Sequence, residues 1–194
     1  MSGEGAAGPP DVERLDEDTI IARLFAPLAT DPGADRLADD AAVLPSRPGE
    51  EVVVTLDALA SGVHFFADDP PEAIAAKALR VNLSDLAAKG AEPFAYALAL
   101  ALGAGATPGW VKRFAAGLAA DQVRYGVTLL GGDTLRAAGG THVSITAFGR
   151  LPAGRIVRRR TARPGDALVV TGTLGDAALY VAGRLAPDRA AAWR

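Results

Sequence analysis

The chain has no cysteine and only two histidines in 194 residues, which excludes disulfide bridges, thiolate metal sites and cysteine nucleophiles. No apolar run approaches the roughly 20 uncharged residues of a membrane span, because Asp, Lys or Arg interrupts each one. Lys and Arg form no block outside Arg155 to Arg163 and the formal net charge is -3, so the electrostatic footprint of a nucleic-acid binder is missing. There is also no glycine-rich loop ending in Gly-Lys-Ser/Thr and no protein-kinase catalytic-loop pattern, so a nucleotide site in this chain is of another kind. Met1 to Pro10 lack the basic flank and apolar core of a secretory signal. Residues 1–18 are accordingly read as a disordered tail, and the cytoplasm as the default compartment.

What is present is apolar and periodic. With 49% hydrophobic residues, the chain can bury one sizeable core and begin a second. Ile20, Ile21, Leu24, Phe25 and Leu28 predict a first helix, with Asp16 or Asp18 as its cap. Ala41 to Leu44 is expected to form a short strand and Glu51 to Leu56, rich in β-branched residues, a second, with Asp57 at its carboxyl end. Asp69-Pro70-Pro71-Glu72 opens what reads as the longest helix, which runs to Lys89 with Gly90 as its stop. Phe94 to Leu102 alternates large residues with alanines, a strand period whose small side chains would let a helix pack closely. Pro108 to Tyr125 predicts another helix, followed by strands at Val127 to Leu130 and Thr141 to Arg150. The order implies an α+β domain over 19–150, with helices on one face of a mixed or antiparallel sheet. Residues 151–194 read as a linker and the truncated start of a second α+β domain, with a strand at Ala167 to Thr171 and a helix from Gly175.

Acidic residues recur at the junctions of these elements: Asp39-Asp40, Asp57, Asp85 and the Asp133 of Gly131-Gly132-Asp133-Thr134. Hard divalent cations take carboxylate oxygens gathered from several segments, and magnesium shares phosphate oxygens with its substrate. Taken singly, each acid is as readily a loop or turn residue. Asp85 stands out because it shares a helix face with Asn82 between leucines, where an unpaired carboxylate would be costly; Lys89 is the ordinary partner and a metal ion the alternative. His142 heads a strand and reads as an edge residue. His64, just beyond Asp57, is placed to donate to a phosphate.

The segments Asp39-Asp40-Ala41-Ala42, Thr55-Leu56-Asp57-Ala58-Leu59, Gly62-Val63-His64-Phe65, Lys77-Ala78-Leu79 through Asn82-Leu83-Ser84-Asp85-Leu86-Ala87-Ala88, Gly131-Gly132-Asp133-Thr134 and Thr171-Gly172-Thr173-Leu174-Gly175-Asp176 together resemble the thiamine-monophosphate kinase family over roughly Thr19 to Leu185. The resemblance implies a fold shared with aminoimidazole-ribotide synthetase, a homodimer built through amino-terminal domains, and ATP in a cleft between domains. It implies transfer of the ATP γ-phosphoryl group to thiamine monophosphate, giving thiamine diphosphate. Carried onto this chain, Asp40, Thr55, Asp57, Asp85 and Asp133 would hold several Mg2+ ions, with Leu56 contributing its main-chain oxygen. His64 would touch the thiamine phosphate, and Gly132, Asp133 and Arg159 would contact ATP. The arginines from Arg155 to Arg163 gain a purpose in this setting, because guanidinium groups suit phosphate oxygens.

Two departures accompany the resemblance. Many relatives carry glycines where this chain has Leu37-Ala38. The family also continues into a second domain with Asp-Leu-Ser-Asp-Gly and Gly-Gly-Glu-Asp-Tyr segments, neither of which occurs here, so slow turnover is expected. The competing readings are another ATP-dependent member of the superfamily, of the aminoimidazole-ribotide synthetase or hydrogenase-maturation kind, and a non-catalytic dimerisation or nucleotide-binding module. Under the kinase reading, Asp57, Asp85 and Asp133 are expected to converge on one metal site.

Overall fold

Four strands account for most of the β-branched and alternating sequence. In the computed structural model, which describes residues 16–38, 41–44, 47–172 and 174–183, these are β1 (Glu50–Ala60), β2 (Glu92–Leu102), β3 (Thr128–Arg136) and β4 (His142–Pro152). They form one mixed sheet in the order β1-β4-β2-β3, with β4 antiparallel to both neighbours and β2 parallel to β3. A parallel pair needs a crossover, and α3 (Pro108–Tyr125) supplies it between β2 and β3. The other long helix, α2 (Pro71–Ala88), links β1 to β2 and equals α3 in length at 18 residues.

Both helices begin with proline in the first turn, where its missing N–H costs nothing. The Thr107 side chain caps α3 by accepting from Trp110 N, and Gly126 ends it in the left-handed conformation at φ 66°. By contrast α2 has no side-chain cap; Asp69 instead accepts from Phe66 N at 2.9 Å. The two helices cover one face of the sheet. Ile74, Leu79, Leu83 and Leu86 of α2 and Val111, Phe114 and Leu118 of α3 are buried against Tyr96, Leu98, Leu100, Leu102, Val143 and Ile145. Gly117 permits the close helix contact, since a Cβ there would lie 2.8 Å from the backbone of Glu72.

The alternation in β2 thus runs opposite to the expectation of alanines beneath a helix. The large residues lie under the helices, and Ala97, Ala99 and Ala101 take the other face, where Val52, Val54 and Leu56 of β1 are 45%, 56% and 62% exposed. One end of that face is covered by the chain's own amino-terminal segment, through Ala29, Ala34 and Leu37 packed near Leu130, Phe94 and Phe148.

Several elements differ from their sequence-based expectations. The first helix is one α turn, α1 (Glu17–Ile20), capped by Asp16, followed by a π turn and a 3-10 turn through Leu28. Ala41 to Leu44 pairs with no strand, and β1 continues through Asp57 to Ala60 rather than stopping before it. The Gly131-Gly132-Asp133-Thr134 segment is ladder, not turn. Ala167 to Thr171 forms no strand, since no neighbouring strand is there to pair with it, and is followed by α4 (Asp176–Val181). Among the described residues no helix is long and apolar enough to cross a membrane.

Candidate functional site

The period of two in β1 turns Thr55 and Asp57 toward the helix-covered side and Leu56 to the open face. On α2, Lys77, Val81, Ser84 and Asp85 recur at helical spacing and share one face. Where these two faces meet, a cavity of about 900 Å³ is lined by Asp57, Asp85, Ser84, Lys77, His64 and Phe66, with Arg80 and Asp69 at its margins. Thr55 Oγ1 donates to Asp85 Oδ2 at 3.1 Å.

Asp85 is exposed, whereas Asn82 on the same helix is fully buried and donates to the Ala78 carbonyl at 3.0 Å. The anticipated desolvation penalty on Asp85 therefore does not arise. Among the described residues neither Asp57 nor Asp85 pairs with a lysine or arginine, so Lys89 is not the partner of Asp85. Arg80 is committed elsewhere: its guanidinium makes two hydrogen bonds, 2.8 and 2.7 Å, to the buried Asp121 of α3. That bidentate contact raises the Arg80 pKa above its ordinary value against the opposing effect of burial. It also locks α2 to α3 behind the cavity wall.

His64 lies in the turn after β1, exposed, with Nδ1 accepting from Ala60 N at 3.0 Å. Lys77 Nζ donates to the His64 carbonyl oxygen. Lys77 entered the sequence reading only as part of a resembling segment, without a role; its helical spacing from Asp85 was the signal that could have placed it here.

Gly132 and Asp133 stand apart. They line a second cavity of about 310 Å³ with Gly131, Thr134, Leu98, Leu129, Phe25 and Ala41. Gly132 is required by the β2–β3 contact itself, since a Cβ there would lie 1.8 Å from the Leu98 carbonyl oxygen. Asp57 is level with Ile145 of β4, a helix-side residue, and Asp133 with Ala99 of β2 on the open face. The two carboxylates thus occupy opposite edges and opposite faces of the sheet, on strands roughly 14 Å apart across three strand spacings. The expected convergence of Asp57, Asp85 and Asp133 does not occur within one chain, and among the described residues no three acidic or histidine side chains are gathered to hold a metal ion. Arg159 lies on an exposed 3-10 turn and lines neither cavity. Asp39 and Asp40 lie outside the described residues.

Helices on one side of a four-stranded mixed sheet, with acidic residues at both sheet edges, correspond to one known class of domain. The chain belongs to the AIR synthase related protein family, whose N-terminal domain matches residues 38–151. Within it the relatives are specific. The chain is 49% identical over 172 residues to the thiamine-monophosphate kinase of Caulobacter vibrioides, covering 88% of this chain and 47% of that protein. It resembles the crystal structure of thiamine-monophosphate kinase from Stenotrophomonas maltophilia K279a at 44% identity and a TM-score of 0.69, over 77% of this chain and 48% of that one. AaThiL complexed with AMPPCP and TMP matches at 28% identity and a TM-score of 0.66, over 85% and 48% of the two chains. The chain thus spans about half the length of the curated relatives it matches.

Proposed function

We propose that this chain contributes one half of the active site of an ATP-dependent kinase that phosphorylates thiamine monophosphate to thiamine diphosphate. The observation that carries this reading is the cluster of Thr55, Asp57 and Asp85 oxygens facing His64 across one cavity, in a chain whose relatives are thiamine-monophosphate kinases. The donor set suits Mg2+: the oxygens are hard, carboxylates supply the charge, and among the described residues no cation neutralises Asp57 or Asp85. Bound there, Mg2+ would neutralise charge on a transferring phosphoryl group. The protein's share is to hold the phosphate donor and acceptor in line and to present the carboxylates to the cavity.

Asp133 requires a second copy. Because Asp57 and Asp133 sit on opposite sheet edges, a two-fold axis that sets β1 of one chain beside β3 of another brings their strands to one seam. The open face favours this, since Val52, Val54 and Leu56 lie exposed on the same face as the alanines of β2 and a self-complementary apolar face is what a homodimer buries. In this arrangement Asp57 and Asp85 of one chain and Asp133 of the other would hold the metal ions together with the Leu56 main-chain oxygen, and Asp40, outside the described residues, would join them by the family resemblance. His64 meets the thiamine phosphate, and Gly132 with Arg159 lies toward ATP. The segment from 151 onward carries exposed Leu168, Val169 and Leu174. The protein works in the cytoplasm.

The decisive experiment mixes two inactive variants and follows ADP release with ATP, Mg2+ and thiamine monophosphate. If each site draws Asp57 and Asp133 from different chains, re-associated Asp57→Asn and Asp133→Asn variants recover about a quarter of wild-type activity, one intact site in half of the dimers. No recovery shows that each site is built within a chain. Wild-type turnover with ATP and another phosphate or amidine acceptor, but none with thiamine monophosphate, would assign the chain to a different ATP-dependent branch.

A further inference from the structure

The turn after β1 is fixed from several sides. Phe65 is buried, Ser61 N donates to the Thr141 carbonyl at 3.0 Å, and Gly62 N donates to the Phe65 carbonyl at 2.9 Å. Inside this frame the two ends of the turn exchange hydrogen bonds. His64 N donates to the Ala60 carbonyl at 2.9 Å, and Ala60 N donates to His64 Nδ1 at 3.0 Å. A ring nitrogen that accepts carries no proton, so the neutral imidazole held here has its proton on Nε2. From α2, the Lys77 ammonium donates to the His64 carbonyl oxygen. Lys77 is exposed and spends one of its three N–H donors on this contact.

We infer that Lys77 is a positioning residue for His64. By holding the main-chain oxygen of His64 against α2, it keeps the turn in the conformation where Nδ1 accepts from Ala60 and Nε2–H is free to donate. The difference matters for an anionic ligand. A phosphate oxygen accepts a hydrogen bond from Nε2–H, whereas the other tautomer would present a lone pair to it and repel it. The ammonium adds positive charge to a cavity whose other charged side chains are Asp57, Asp69, Asp85 and Arg80, the last already paired with Asp121. The ligand's identity as thiamine monophosphate rests on the reading proposed above; the tautomer assignment rests on the turn alone.

The chain's two histidines make the test clean. A His142→Gln background leaves His64 as the sole imidazole, and 15N NMR of its ring reports the tautomer of the neutral form directly. The expected result is a pyridine-like Nδ1 and a protonated Nε2 in the parent. Lys77→Met should shift both nitrogens toward the averaged values of a free imidazole, and Lys77→Arg, which can donate to the same carbonyl, should restore the parent pattern. Because Lys77 is exposed, the Met variant removes a donor without opening the core. A parent with Nδ1 protonated overturns the inference without any variant, as does a Lys77→Met spectrum identical to the parent's. Adding thiamine monophosphate then separates the two readings. A shift at Nε2, with affinity about tenfold weaker in Lys77→Met and recovered in Lys77→Arg, supports both. A locked, Lys77-dependent tautomer that does not respond to thiamine monophosphate upholds the positioning role and sinks the substrate assignment.

Discussion

The two faces of the sheet both carry apolar side chains and have opposite fates. On the helix side, Tyr96, Leu100 and Ile145 are fully buried by α2 and α3. On the other side Val52, Val54 and Leu56 stand in solvent on the face that also carries the alanines of β2, although apolar residues on a strand are as costly to expose there as on the covered face. The contrast teaches that α2 and α3 complete one core within the chain, while strand residues of equal apolar character on the other face stay exposed. The candidate acids follow the same division, with Asp57 and Asp85 on the covered side and Asp133 on the open one.

Charging the open face is the harshest test of that contrast. A Val54→Lys, Leu56→Lys chain would bury two unpaired ammonium groups per subunit, each costing several kcal/mol, in a symmetric interface. Sedimentation should find only monomer at micromolar concentration, with the thermal unfolding of the domain little changed. A monomeric parent would remove the contrast altogether.

Truncating the covered face acts on folding instead. Ile145→Ala should lower unfolding free energy by about 2–5 kcal/mol, while Val52→Ala on the open face should cost under about 1 kcal/mol in the separated subunit. Chemical denaturation of both variants measures the difference, and equal losses would mean the open face is already covered in the single chain.

The two ion pairs that clasp α2 to α3 offer a smaller version of the comparison. Asp121 is buried under the Arg80 fork, whereas Glu72 and Arg113 meet at the surface at 2.7 Å. Asp121→Asn should cost about 2 kcal/mol, since it leaves a bidentate guanidinium half-satisfied over a closed helix interface. Glu72→Gln should cost less than about 0.5 kcal/mol.

The mildest prediction concerns pH. The Arg113 hydrogen bonds hold the Glu72 carboxyl below its ordinary pKa. A depressed folded-state pKa contributes stability above the unfolded value and loses it as pH falls through the folded one. The slope of stability on the acid side of pH 4.5 should therefore diminish slightly in Glu72→Gln, a difference of less than about 0.5 kcal/mol because the pair is half in water.

Much of this could be read from residues. Thr107-Pro108 and Gly126 bracket α3, Pro71 and Gly90 bracket the helix before it, and the β-branched run from Val52 to Thr55 is a strand in either context. The chemistry was legible as well, in the oxygen donors Thr55, Asp57 and Asp85 and in a histidine just beyond them. Local readings failed where a partner strand decides. Ala41 to Leu44 has strand character and no ladder, while Gly131-Gly132-Asp133-Thr134 has turn character and lies in one, because a glycine is what the Leu98 carbonyl leaves room for.

Period, caps and turn residues act over a few positions, so the sequence by itself determined the two long helices, most of the strands and the kinds of atom available to a ligand. Which strand lies beside which is a long-range matter: the order β1-β4-β2-β3 places the fourth strand beside the first and the second. That order sets Asp57 and Asp133 at opposite edges, brings Thr55 against Asp85 thirty positions away, and leaves one apolar face bare. Only the tertiary structure could decide it, because the free energy that selects an order comes from burying whole faces together and is written in no single segment.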